Sequence, residues 1–148
     1  MKRISILCLL GVFVLFACKK SKDDSWHSIL TSKKWVRSYV DKNPESTPKG
    51  PAAAPMLIVN VLDCESDNEY AFNSSKKYTI DKGDELCYAG EEQTVTADFS
   101  LDEENKELIL DNLKYTIFEI THDQIKLYRP VPTTTGFSGF IYLYHPAK

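Results

Sequence analysis

The sequence lacks the features that mark several large classes of protein. Its 148 residues include 6 glycines and 7 prolines, too few for a collagen-like or low-complexity chain. The formal net charge is only −3 and the pI is near 5.6, so there is no basic field to hold nucleic acid. With 43% hydrophobic and 26% charged residues, the chain instead has the composition of one ordinary folded domain.

Sequence patterns for catalysis, redox chemistry and metal binding are also missing. There is no Cys-x-x-Cys pair, and neither Cys64 nor Cys87 has a cysteine or histidine at zinc-site spacing. The acidic run around Cys64 fails the calcium-loop pattern because Asn68 stands where that pattern needs glycine. Residues 136–139 come closest to a nucleophile elbow but lack its strand-to-helix context. We expect no enzyme, metal or cofactor, although a glycosidase carboxylate pair stays open because only its separation in space identifies it.

The first 17 residues have the pattern of an export signal. Two basic residues precede an apolar run at 4–17, which is too short to span a bilayer core of about 30 Å. Residues 15–18, Leu-Phe-Ala-Cys, resemble a bacterial lipobox, with Phe16 bulkier than the usual residue at its position. The resemblance implies cleavage before Cys18, which then carries the lipid. A secreted protein cut near the same point is the alternative.

A lipid on Cys18 would hold the protein at a membrane without spanning it. Acyl chains contribute about 0.8 kcal/mol per buried methylene, so two or three chains give stable anchoring. Residues 18–25 are polar and lack apolar periodicity, which predicts a flexible tether. Within the tether, residues 22–24 resemble the signal that sends lipoproteins of Bacteroidetes to the outer leaflet of the outer membrane. We expect lipid anchoring at the outer membrane and leave surface display open.

The four cysteines fit this interpretation. Cys8 leaves with the signal peptide and Cys18 takes the lipid, so Cys64 and Cys87 remain to pair in an oxidising compartment. They enclose a loop of about 24 residues, for which loop entropy predicts about 3.4 kcal/mol of stabilisation. We therefore expect a Cys64–Cys87 disulfide.

Residues 26–148 predict one antiparallel β domain. Trp26, Ile29 and Leu30 have the spacing of one apolar helix face, which indicates a short first helix. Seven or eight short strands then follow at a spacing of about ten residues, each bounded by turn residues. Because short connections join most neighbouring strands, a meander barrel is favoured over a Greek-key sandwich. Residues 43–55 and 129–139 are predicted as loops, and residues 56–62 fit either a strand or a buried helical turn.

Several parts of the sequence together resemble the lipocalin-like lipoproteins of Bacteroidetes. They are the lipobox, the Leu-Thr-x-x-x-Trp opening at 30–35, and the block at 64–72 with Cys87 after the next strand. The resemblance covers nearly all of residues 26–148 and implies an all-β, eight-stranded up-and-down barrel of the lipocalin-like, calycin type. Members are mostly of unknown function and have no agreed catalytic or ligand residues, so no site is carried over.

Aromatic side chains at strand positions supply a candidate ligand site. An eight-stranded barrel is just wide enough to be filled by side chains or to hold one small ligand. The candidate ligand-binding residues are Trp35, Tyr78, Tyr115 and Tyr142. Two functions stay open: a non-catalytic barrel that binds a small hydrophobic or amphipathic ligand, and a filled barrel whose loops bind an envelope protein or a glycan.

Overall fold

The computed structural model of the protein describes residues 25–47, 56–133 and 136–148. The predicted signal peptide at 1–17, Cys18 and the tether up to residue 24 lie outside the described residues. The helix and strands, in chain order, are α1 Trp26–Thr31, β1 Lys34–Ser38, β2 Met56–Ile58, β3 Glu69–Phe72, β4 Lys77–Asp81, β5 Thr94–Asp102, β6 Glu107–Leu110, β7 Leu113–Ile120, β8 Ile125–Thr133 and β9 Gly136–Pro146. Single 3-10 turns occur at Pro44–Ser46 and Asp63–Glu65.

Eight of the strands close into an antiparallel up-and-down barrel, which confirms the predicted fold class. Strand β1 pairs with β3, and β3 to β8 each pair with the next strand along the chain. The barrel closes where β9 pairs with β1, which places Arg37 opposite Tyr144. Strand β2 stands outside this closure and runs parallel to β9, with Leu57 opposite Phe140. The undecided segment at 56–62 is therefore a strand over its first three residues.

The prediction of a loop at 129–139 was wrong, because β8 and β9 form a long hairpin through most of it. Their pairing extends from Ile125 opposite Tyr144 to Thr133 opposite Gly136. The prolines of this segment suggested a turn. However, β8 pairs with β7 only as far as Tyr128, so the prolines beyond it lie on a free edge, where a strand tolerates proline.

Helix α1 covers one end of the barrel. Its N-cap is Ser25, whose hydroxyl accepts a hydrogen bond from the Ser28 N–H at 3.1 Å. Ile29 and Leu30 are buried, as their spacing predicted, and belong to the same apolar cluster as the barrel interior. Trp35 is fully buried beneath the helix and donates its indole N–H to the Leu30 carbonyl at 3.0 Å.

A membrane-spanning helix is not found: within the described parts of the chain, no helix is both long and apolar enough to cross a bilayer.

A buried lysine on the outer face of β8 holds the segment after β1 against the barrel. The Nζ of Lys126 lies 2.9 Å from an Asp41 carboxylate oxygen, and the lysine is fully buried. It also donates to the hydroxyls of Ser46 and Thr47 at 2.7 and 3.0 Å. Burial raises the pKa of Asp41, but hydrogen bonds from Lys126, the Asn43 backbone and Gln124 outweigh it, so the net shift is downward.

Replacing Lys126 with methionine is expected to lower the free energy of unfolding by about 3–5 kcal/mol. The loss arises because the variant leaves the Asp41 carboxylate, whose side chain is 11% exposed, without its cationic partner. Lys114→Met is the matched control, since Lys114 pairs with Glu107 but its side chain is 62% exposed, and it should cost less than about 1 kcal/mol. Urea denaturation of the three proteins measures both values, and equal losses would contradict the argument.

The disulfide between Cys64 and Cys87 confirms the predicted pairing. It ties the 3-10 turn before β3 to the loop between β4 and β5, with a Cα–Cα distance of 5.2 Å. Both segments lie at the end of the barrel opposite α1. The bridge therefore restrains that mouth.

The double variant Cys64→Ser, Cys87→Ser should be less stable than the oxidised protein by about 3.4 kcal/mol, the entropy of the freed loop. Urea denaturation measures the difference, and the reduced wild-type protein serves as the control with the same expected loss. A difference below about 1 kcal/mol would show that the bridge adds little.

Candidate ligand site in the barrel

The barrel interior carries a cluster of tyrosines around two arginines. Because successive strand residues face opposite sides of a sheet, Tyr142 and Tyr144 of β9 point to the same side. Tyr144 packs edge-on against Tyr70, with ring centroids 5.2 Å apart, and Tyr142 packs likewise against Tyr115 at 5.3 Å. We call this group the tyrosine cluster and define it by these residues: Tyr70, Tyr78, Tyr115, Tyr142 and Tyr144.

Arg37 of β1 lies against this cluster. Its guanidinium carbon is 5.2 Å from the ring centroid of Tyr142 and 5.6 Å from that of Tyr144, within the range of a cation–π contact. Two of its nitrogens, Nε and Nη2, are buried and have no hydrogen-bond partner among the described residues. The ion pairs found within residues 25–47, 56–133 and 136–148 do not include this arginine.

Asn68 and Tyr70 extend the polar part of the site. Asn68 is 7% exposed, and its side-chain oxygen has no hydrogen-bond partner in the described part of the chain. Burial raises the pKa of Tyr70, while the charge of Arg37 and hydrogen bonds from Arg37 and Asn68 act to lower it. The Tyr70 hydroxyl thus lies beside both of these unsatisfied side chains.

The second arginine, Arg129 of β8, acts on Tyr115. Burial and the neighbouring Tyr142 raise the pKa of the Tyr115 hydroxyl, whereas the charges of Arg129 and Arg37 lower it. Both guanidinium groups are therefore close enough to influence one phenol.

Burial also raises the pKa of Tyr78 and of Tyr144. It raises the pKa of Tyr78 to about 12, with a further contribution from the negative charge of Asp111, and it raises the pKa of Tyr144 well above the ordinary value. The phenols of Tyr70, Tyr78, Tyr115 and Tyr144 consequently stay protonated at neutral pH. The site offers hydroxyl groups, aromatic rings and positive charge rather than a general base.

Three of the four sequence-predicted ligand residues belong to this site. Tyr78, Tyr115 and Tyr142 lie in the tyrosine cluster, whereas Trp35 lies at the end covered by α1, where its indole N–H is already bonded. Sequence reasoning missed Arg37. The signal was available, because Arg37 follows Trp35 by two residues on one strand and must face the same side.

Among the described residues, no group of three or more His, Cys, Asp or Glu side chains is placed to hold a metal ion.

In comparisons with known proteins, no family model, no curated protein and no solved structure matches this chain.

The raised pKa of Tyr78 predicts a loss of stability in alkali. The unfolded chain releases the Tyr78 proton near pH 10.0 and the folded protein releases it near pH 12. The contribution of this hydroxyl to the unfolding free energy is therefore full below pH 10 and falls as the pH rises from 10 to 12. Between pH 8 and pH 11, wild type should lose about 1 kcal/mol more unfolding free energy than Tyr78→Phe. Urea denaturation at the two pH values measures this. Identical losses in both proteins would contradict the burial of this hydroxyl.

Proposed function

We propose that this protein is a non-catalytic, lipid-anchored protein of the bacterial cell envelope whose barrel binds one small amphipathic ligand. The observation that carries the proposal is Arg37, a cation inside the barrel with two buried nitrogens that have no hydrogen-bond partner in the described part of the chain. If the barrel interior served only as a hydrophobic core, this arrangement would lower its stability, because a buried polar group without a partner costs free energy. A ligand that completes the hydrogen bonds removes that cost.

The distribution of side chains favours an amphipathic ligand over a purely apolar one. Phenol rings of the tyrosine cluster offer flat apolar surface, and their hydroxyls together with Arg37 and Asn68 offer polar groups in the same space. Small-molecule sites combine apolar walls with a few polar groups in this way. The apolar end beneath α1 closes the barrel on the other side.

The cellular location rests on the N-terminal pattern and on the disulfide. The lipobox at 15–18 supports lipidation of Cys18, and the Cys64–Cys87 bridge supports an oxidising compartment. We further propose membership of the lipocalin-like lipoproteins of Bacteroidetes, which the closed barrel with its short first helix supports.

A second candidate function is binding of an envelope protein or a glycan at the outer surface. Tyr39 and Leu62 are 68% and 55% exposed, and both line one surface hollow of about 420 Å³. Leu57, on the nearby strand β2, is 52% exposed. Exposed apolar side chains grouped in this way are typical of interaction sites.

A fluorescence titration with N-phenyl-1-naphthylamine separates these two functions. This neutral aromatic probe fluoresces in apolar surroundings, and the carrier function predicts saturable binding of one probe per protein. Tyr142→Ala should weaken binding about tenfold through the lost ring contact. Tyr39→Ala is the matched control, since it removes an exposed tyrosine outside the barrel, and it should leave binding unchanged.

The reverse pattern, in which Tyr39→Ala weakens binding and Tyr142→Ala does not, would favour the surface hollow. A probe that does not bind the purified protein at all would overturn the carrier function. Thermal unfolding of both variants, measured in parallel, shows whether each one is folded.

A further inference from the structure

We propose that the ligand of this barrel is an anion whose acidic group binds the guanidinium of Arg37. This inference rests on the proposed function, because it names the chemical class of ligand for the same site. The class is an amphipathic molecule that ends in a carboxylate or a phosphate.

The unpaired atoms of Arg37 have the geometry that such a group needs. Nε and Nη2 lie on one edge of the guanidinium, where their N–H bonds point in nearly parallel directions. Two oxygens of one carboxylate or phosphate accept this pair together, in the bidentate contact for which arginine is suited. Both nitrogens are buried and neither has a partner among the described residues, so both donors of this edge lack an acceptor there.

The aromatic contacts of Arg37 do not satisfy its hydrogen-bond donors as an anion would. The rings of Tyr142 and Tyr144, at 5.2 and 5.6 Å, stabilise the positive charge. The N–H donors of Nε and Nη2 still need oxygen acceptors, because a buried donor without a hydrogen bond destabilises the protein, and a charged donor does so most.

The surrounding charges also favour an anion. Arg37 and Arg129 both act on the Tyr115 hydroxyl, so two positive charges are directed into one part of the barrel. The carboxylates whose charge reaches the tyrosine cluster are Glu65, near Tyr70, and Asp111, near Tyr78. Within the described chain, neither forms an ion pair with an arginine. An entering anion would therefore meet two arginines that form no ion pair within the described chain.

Tyr70 and Asn68 supply a place for the rest of the acidic group. The Tyr70 hydroxyl lies beside Arg37 and stays protonated, since burial raises its pKa, and so it can donate to a ligand oxygen. Asn68 is held at the start of β3 by its backbone N–H, which donates to the Glu65 carbonyl at 3.3 Å. A protonated phosphate would have an acceptor in the unpaired Asn68 oxygen, which a carboxylate could not use.

Four probes with the same ten-carbon chain test the inference: decanoate, decyl phosphate, decanol and decylammonium. Each is titrated into the purified protein below its micelle concentration, with displacement of N-phenyl-1-naphthylamine as the readout. We expect the two anions to bind at least about tenfold more tightly than decanol, since hydrogen bonds to a charged group are worth about 1.5–3 kcal/mol. Decylammonium should bind most weakly. The ratio of decanoate to decyl phosphate distinguishes a carboxylate from a phosphate ligand.

Arg37→Met should remove the preference for anions. Its affinity for decanoate should fall at least about tenfold, to the level of decanol, while decanol and the neutral fluorescent probe keep their affinities within about twofold. Lys114→Met is the matched control, because it makes the same change in net charge at an exposed position. It should retain the preference.

The stability of Arg37→Met without ligand gives an independent readout. If Arg37 serves only to bind a ligand, the ligand-free Arg37→Met protein should be at least as stable as wild type. If Arg37 is purely structural, the variant should be less stable. Thermal unfolding measures the difference. If Arg37→Met does not fold, Arg37→Lys replaces it, since lysine keeps the charge but lacks the paired N–H donors, and decanoate affinity should fall at least about fivefold.

Equal binding of decanoate and decanol by wild type, or an unchanged preference in Arg37→Met, would overturn the anion inference and leave the carrier function standing. Failure of every probe, the neutral fluorescent one included, would overturn the carrier function itself.

Discussion

Closure of the barrel between β9 and β1 is the interaction on which the site depends. Near its C-terminal end β9 pairs with β1, and further back it pairs with β2 instead. The first of these pairings sets Arg37 opposite Tyr144 and close to Tyr142. A shift of one residue in this register would turn Arg37 to the outer face, where its charge would be solvated. The fold thus holds a cation inside, where water cannot satisfy Nε and Nη2.

The buried cations on the two faces of the barrel wall, Lys126 and Arg37, differ in their hydrogen bonding. Lys126, on the outer face, is fully buried but has a carboxylate, two hydroxyls and a backbone carbonyl within hydrogen-bond distance. Arg37, on the inner face, has aromatic rings and unpaired nitrogens. Since native proteins satisfy nearly all buried polar atoms, the contrast supports the proposal that a ligand completes the hydrogen bonds of Arg37, which the described residues leave unmade.

Short strands with short connections predicted the barrel, the spacing of Trp26, Ile29 and Leu30 predicted its short helix, and cysteine parity predicted the disulfide. Aromatic residues at strand positions led to Tyr78, Tyr115 and Tyr142, but the same pattern could not tell which end of the barrel Trp35 occupies. Placing Arg37 inside needed only the period of two from Trp35. Its lack of a partner could not be predicted, because that depends on strands more than 100 residues further along the chain. The hairpin of β8 and β9 was missed because proline, threonine and glycine are turn formers, and pairing over its whole length outweighed that local preference.

The central claim is that the inner edge of the Arg37 guanidinium binds an acidic group, and the Nε–H resonance of this arginine in a ¹H–¹⁵N NMR spectrum tests it most directly. The signal is assigned by its absence from Arg37→Lys. On addition of decanoate, the Nε–H proton should shift downfield and exchange more slowly with water, whereas decanol should cause neither change, because an anionic acceptor makes the stronger hydrogen bond. A resonance that decanoate leaves unmoved while the ligand is bound would contradict the central claim.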